Sequence, residues 1–144
     1  MYEQILVPVD GSEASMDAVS HAAGLASVHG ADLHVVHVLE PQVAVESAGV
    51  DVTSALEEVG ERAIADAESV ARDAGIEELH GSLLTGAPHR RIVEYAEDNK
   101  VDLIVMGTHG RTGLARLLLG SVAEKVVRTS PVPVSTIRPR DAAE

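Results

Sequence analysis

The sequence predicts an α/β fold in which a five-stranded parallel sheet carries helices on both faces. Three observations lead there. Short apolar runs without polar alternation, such as Ile5-Leu6-Val7-Pro8-Val9 and Leu103-Ile104-Val105-Met106, are too short for helices and read as strands buried on both sides. Between such runs lie stretches whose apolar residues recur at helical spacing and which are long enough to serve as crossovers. The resulting order, βαβαβαβαβ, implies parallel strands, and right-handed crossovers leave few topologies.

Taken in order, strand 1 covers residues 3 to 9, and Asp10-Gly11-Ser12 turns the chain. A stripe of Met16, Val19, Ala22, Ala23 and Ala26 makes a helix from Glu13 to about Val28, closed by Gly30. Strand 2 spans residues 33 to 39. From Glu40 to Val52 there is no period, and a connection of that length usually carries function or mobility. Ser54 and Glu57 form an expected capping box ahead of the stripe Leu56, Val59, Ala63, Ile64, Ala67, Val70, Ala71 and Ala74, which ends at Gly75. Residues 77 to 85 read as a more polar edge strand, and Pro88 starts a helix that runs to about Asn99. Strand 4 precedes Gly107, a helix covers residues 121 to 127, strand 5 covers 132 to 137, and 138 to 144 are expected to fray.

At 144 residues the chain makes one domain, residues 1 to 144. Its 23 acidic residues against 11 basic ones give a formal charge of −12, and only Lys100 and Lys125 are lysines. Such a surface repels nucleic acid and anionic lipid. A high-salt habitat and an arginine-favouring genome both fit this balance. The chain has no cysteine, no secretory pattern at its start and no apolar run near the ~20 residues of a membrane span, so the expected location is the cytoplasm. With no Phe and no Trp, packing falls to Val, Ala, Leu and Ile.

The stretch Val101 to Val127 carries the chemistry. Its strand ends at a turn with Gly107 and Gly110, and Gly120-Ser121 then opens a helix, a spacing of Gly, two residues, Gly, nine residues, Gly-Ser. Exposed backbone N–H groups beside a helix N-terminus are a phosphate cradle. The chain lacks a G-x-x-x-x-G-K-[ST] element, and no His, Glu or Gln is placed by sequence to orient an attacking water, so any hydrolysis is expected to be slow. The seven histidines show no metal spacing, and the expectation is no metal site: His34 and His37, three apart on a strand, face opposite sides.

This spacing, with Ile5 to Ser12, the strand Leu33 to Val38 and the closing Ser130-Pro131-Val132-Pro133-Val134, resembles the nucleotide-binding signature of the universal stress protein family, in its ATP-binding subgroup. The resemblance covers nearly the whole chain. It implies a doubly wound sheet of strand order 3-2-1-4-5, with the ligand at the switch point between strands 1 and 4. It also implies an ATP site made by Pro8, Val9, Asp10, Val38, Met106, Gly107, Gly110, Arg111, Gly120, Ser121 and Val122, with Gly107 and Gly110 kept free of side chains for ribose and phosphate. Asp10 has two readings, a brace for its own turn or a contact to the nucleoside. Ser121 likewise has two, capping box with Glu124 or phosphate contact. Val38 would offer main-chain groups to the base.

The function implied is a cytoplasmic ATP-binding regulator of the stress response. The alternatives are a slow ATPase or phosphotransferase using Mg²⁺ or Mn²⁺, and a nucleotide-free dimerisation module. A homodimer through strand 5, by way of Val132, Val134, Ser135 and Ile137, is expected, together with an unidentified protein partner. Pro131 and Pro133 lack donors, which suggests that 131, 133, 135 and 137 face outward while Val132, Val134 and Thr136 bond strand 4.

Overall fold

The computed structural model describes residues 1–40, 53–108 and 120–138. Nine elements follow one another: β1 Gln4–Pro8, α1 Glu13–His29, β2 Asp32–Leu39, α2 Thr53–Asp73, β3 Leu79–Thr85, α3 Pro88–Asp98, β4 Leu103–Gly107, α4 Ser121–Thr129 and β5 Val134–Ile137. The strands form one sheet in the order β3-β2-β1-β4-β5, every pair parallel, as the resemblance implies.

Strand alternation sorts the side chains into two cores. Ile5, Val7, Leu33, Val35, Leu103 and Val105 face α1 and α2, meeting a helix surface of Ala18, Ala22, Ala26, Ala63, Ala67 and Ala71. Leu6, Val36, Ile104 and Met106 face the other way, against Ile92 and Ala96 of α3 and Ala123 and Val126 of α4. Alanine on the helices brings them close to branched residues on the strands. Each fully buried Val, Leu or Ile contributes about 1.5–3 kcal/mol.

Helix ends follow local chemistry. The Ser12 hydroxyl accepts from the Ser15 N–H at 3.1 Å and caps α1. Behind α2, Gly75 has φ +92°, and the N–H groups of Gly75 and Ile76 donate to the carbonyls of Arg72 and Ala71, a Schellman closure that needs a left-handed residue. Helix α2 already includes Thr53, so Ser54 lies inside the first turn and is not the expected cap.

The polar edge of the second core is built around His34, which is buried. Burial first, and neighbouring His80 second, hold its imidazole below the usual value and so keep it neutral. Burial also raises the Tyr95 phenol, which stays an O–H donor.

At β5 the structure reverses an expectation. The Ile104 N–H donates to the Pro133 carbonyl and the Thr108 N–H to the Ile137 carbonyl, so residues 133, 135 and 137 face β4, and Val134 and Thr136 face outward. The prolines permit this because the ladder starts with the carbonyl of Pro133 and does not need its missing N–H. Val132 precedes the strand: the Ser130 hydroxyl donates to its carbonyl and accepts from its N–H, folding 130–132 into a turn. Ile137→Pro is therefore expected to lose a ladder donor and destabilise by about 1–3 kcal/mol. Thr136→Pro is expected to cost clearly less, and chemical denaturation of both variants checks the order.

Candidate functional site

β1 and β4 are neighbours in the sheet, yet the chain leaves β1 for the face covered by α1 and leaves β4 for the face covered by α4. A crevice opens between their carboxyl ends. It is a cleft of about 490 Å³, within the usual range for a small-molecule site. Its lining brings together Pro8, Val9, Asp10, Val38, Met106, Gly107, Gly120, Ser121 and Val122. Of the residues expected at the site, Gly110 and Arg111 lie outside the described residues.

Asp10 braces its turn, accepting the Ser12 N–H on Oδ1 at 2.9 Å. The residue also lines the cleft at the mouth of β1. Val9 is held from two directions: its N–H donates to the Val36 carbonyl and its carbonyl accepts from His37 Nδ1, both at 2.8 Å. A carbonyl only accepts, so His37 carries its proton on Nδ1. Since the Val36 carbonyl points toward β1, alternation turns the main-chain groups of Val38 to the same side, beyond the end of β1 at Pro8. That places them on the crevice.

At two residues the structure adds to or narrows the expectation. A Cβ on Gly107 would meet the Ala14 carbonyl oxygen at 2.8 Å and carbon at 2.9 Å, so the bare backbone there admits helix α1, while Gly107 also lines the cleft. Ser121 is the first residue of α4, whose cap is Gly120 at φ −61° and ψ 154° with no side-chain cap bond. The expected Ser121–Glu124 capping box is therefore not formed. Glu124 instead accepts from Arg128 Nη2 at 2.7 Å, one turn further along and away from the cleft. The result is an N-terminus whose first N–H groups have no partner within the helix and which opens on the cleft. The chain leaves for the 109–119 segment at Thr108 and returns at Gly120, whose N–H donates to the Thr108 carbonyl.

Several lining residues escaped the sequence reading as site residues. Leu56 and Val59 come from α2, Pro88 and Ile92 from α3, and His37 from β2. Leu56 and Val59 were legible as members of an apolar stripe, but their place on a wall depends on how α2 lies. Gly60 sets that: a Cβ there would meet His37 Cδ2 at 2.6 Å and Leu83 Cδ1 at 2.9 Å. Among the described lining residues the charged side chains are Asp10 and Glu40. Attraction for an anion on this part of the wall thus rests on the N–H groups of α4.

Comparison with known proteins agrees with this picture. Residues 1–138 match the sequence model of the universal stress protein family. The chain is 38% identical over 142 residues to the universal stress protein MJ0531 of Methanocaldococcus jannaschii, covering 96% of this chain and 83% of that protein. A universal stress protein of Archaeoglobus fulgidus solved in complex with dAMP is similar at a TM-score of 0.76 and 28% identity, covering 96% of this chain and 98% of the other. A universal stress protein solved in complex with cAMP gives a TM-score of 0.73 at 28% identity, covering 96% and 98%. Among the described residues no helix is long and apolar enough to cross a membrane.

Gly107→Ala is expected to push α1 off β4 and lower stability by about 1–3 kcal/mol. Thermal unfolding checks this, and a variant as stable as the parent would show that the helix can shift without cost.

Proposed function

Because the chain belongs to the universal stress protein family, we propose that it is a cytoplasmic ATP-binding regulator of the stress response, working as a homodimer. The observation that carries the reading is the glycine-capped N-terminus of α4 opening on the cleft between β1 and β4. Val9, Val38, Met106, Leu56, Val59 and Ile92 give the cleft an apolar side suited to a flat base. Asp10 stands where it can accept from a base amino group or a ribose hydroxyl. The N–H groups of Ser121 and Val122 suit a phosphate, and the Ser121 hydroxyl, not engaged as a cap, can donate to one. Two structural neighbours were solved with adenine nucleotides, dAMP and cAMP, which supports the base class. The triphosphate is our extension from the Gly107, Gly110, Gly120-Ser121 spacing.

Acid extraction of the purified protein followed by nucleotide chromatography tests the reading, with recovered ATP as the expected result. Recovered ADP with turnover in Mg²⁺ or Mn²⁺ would favour a slow ATPase or phosphotransferase. No nucleotide and no heat on titration with ATP would leave a dimerisation module. Ser121→Ala is expected to weaken ATP by about 1 kcal/mol in calorimetry. Its stability is expected to stay within about 0.5 kcal/mol, since the residue is exposed and does not cap the helix.

The dimer reading rests on β5 as an edge strand. Its outward donors are the N–H groups of Val134 and Thr136, and a second copy can pair with them antiparallel about a two-fold axis. Ser135 and Ile137, expected to pair across the dimer, instead turn their N–H groups to β4. Thr136→Pro is therefore expected to sediment as a folded monomer. A dimer in that variant would move the interface elsewhere.

A further inference from the structure

At the amino-terminal end of the sheet, far along the strands from the cleft, β2 and β3 bring four side chains into a square on one face. The register sets His34 opposite His80 and Leu33 opposite Leu79, which puts Asp32 beside Glu78 and each carboxylate two residues before a histidine. From these positions we propose a binding site for a first-row divalent cation of the zinc type, ligated by Asp32, Glu78 and His80.

The candidate ligand atoms of Asp32, Glu78 and His80 all lie within 4.8 Å of one another. His80 Nε2 stands 3.6 Å from Asp32 Oδ2, near the roughly 3.3 Å separation of two donors on a tetrahedral zinc with bonds of about 2.0–2.1 Å. Glu78 is exposed, so rotation of its side chain can close the remaining gap.

Two of the three ligands are already oriented by groups behind them. The Tyr95 hydroxyl donates to His34 Nδ1 at 2.7 Å, His34 Nε2 donates to Gln4 Oε1 at 2.6 Å, and Gln4 Nε2 donates to Asp32 Oδ2 at 3.4 Å. This chain of donors runs one way and ends on the Asp32 carboxylate, the kind of support that holds a metal-ligating group in place. His34, engaged on both nitrogens, is not a ligand. Its ring instead stacks on His80 at 4.7 Å between centroids and 27° between planes, which fixes the His80 imidazole face while leaving Nε2 toward Asp32. One imidazole nitrogen and two carboxylates suit zinc, cobalt or nickel better than magnesium. The open positions on the ion would face solvent and an adjoining hollow of about 640 Å³ bordered by Gln4, Ser82 and Lys100.

The test uses the full-length protein stripped of metal by a chelator and free of nucleotide, titrated with Zn²⁺ in calorimetry and with Co²⁺ by visible absorption. The expected result is one saturating equivalent per chain, a rise in unfolding temperature on metal addition, and no displacement by tenfold excess Mg²⁺. His80→Gln and Asp32→Asn are each expected to weaken binding at least tenfold and to abolish the thermal shift. Asp66→Asn, an exposed acid on α2, is expected to change neither. Glu78→Gln supplies a variant at an exposed position should Asp32→Asn disturb the strand pair. Wild-type affinity in His80→Gln and Glu78→Gln, displacement by equal Mg²⁺, or no saturation below millimolar metal would each overturn the site, leaving adventitious binding to an acidic surface only.

Discussion

The pairing of β1 with β4 is the constraint on which the rest depends. These strands are far apart in the chain and are joined in register at Ile5 with Leu103 and Leu6 with Ile104. The start of the pairing is held by Asp102, whose carboxylate accepts the N–H groups of Glu3 and Gln4 at 2.9 and 3.2 Å. A carboxylate accepting two backbone donors fixes where one strand begins against the other. The far ends then follow from strand length alone, and Pro8 to Asp10 arrive beside Met106 and Gly107. The cleft at the carboxyl ends is thus set by a clamp at the amino ends.

Closeness of the layers comes from small residues. The alanine faces of α1 and α2, the missing side chain of Gly107 against Ala14, and that of Gly60 against His37 each let a helix backbone approach the sheet. Without Phe or Trp the chain fills its cores with many branched aliphatic contacts, and a helix shifted outward would lose several of them together. This packing also sets the cleft: α1 presses on the Gly107 end of β4, while α2 supplies an apolar wall.

An anion approaching a surface of net charge −12 meets long-range repulsion. The site answers locally. Gly120 caps α4 without a side chain, so its N–H groups are not taken by a serine or aspartate oxygen, and Glu124 is drawn away from the N-terminus toward Arg128. Partial charges on backbone groups act within about the first turn of a helix. These donors therefore act at contact range without reversing the charge of the surface.

The strands, the helices and the order of layers were legible in the sequence because burial on both faces leaves a continuous apolar run and helical crossovers leave a period, both local signals. The turn at Asp10 was legible from the turn chemistry of Asp-Gly-Ser, and the nine described residues that the resemblance implies for the site do line one cleft. What the tertiary structure decided concerns relations between segments. Gly107 also has to admit Ala14, far back in the chain, which nothing near it in the sequence announces. Of the two readings of Ser121, the capping box with Glu124 falls away because Gly120 takes the cap position. At β5 the prolines suggested which edge faced out, yet the ladder with β4 begins on a carbonyl, which proline retains. Glu78 and His80 stand two apart on the chain, but only the register of β2 with β3 brings Asp32 to them. Local sequence specifies which elements form, through burial and backbone preference; which atoms meet across elements depends on register and approach, and these are settled only when the layers pack.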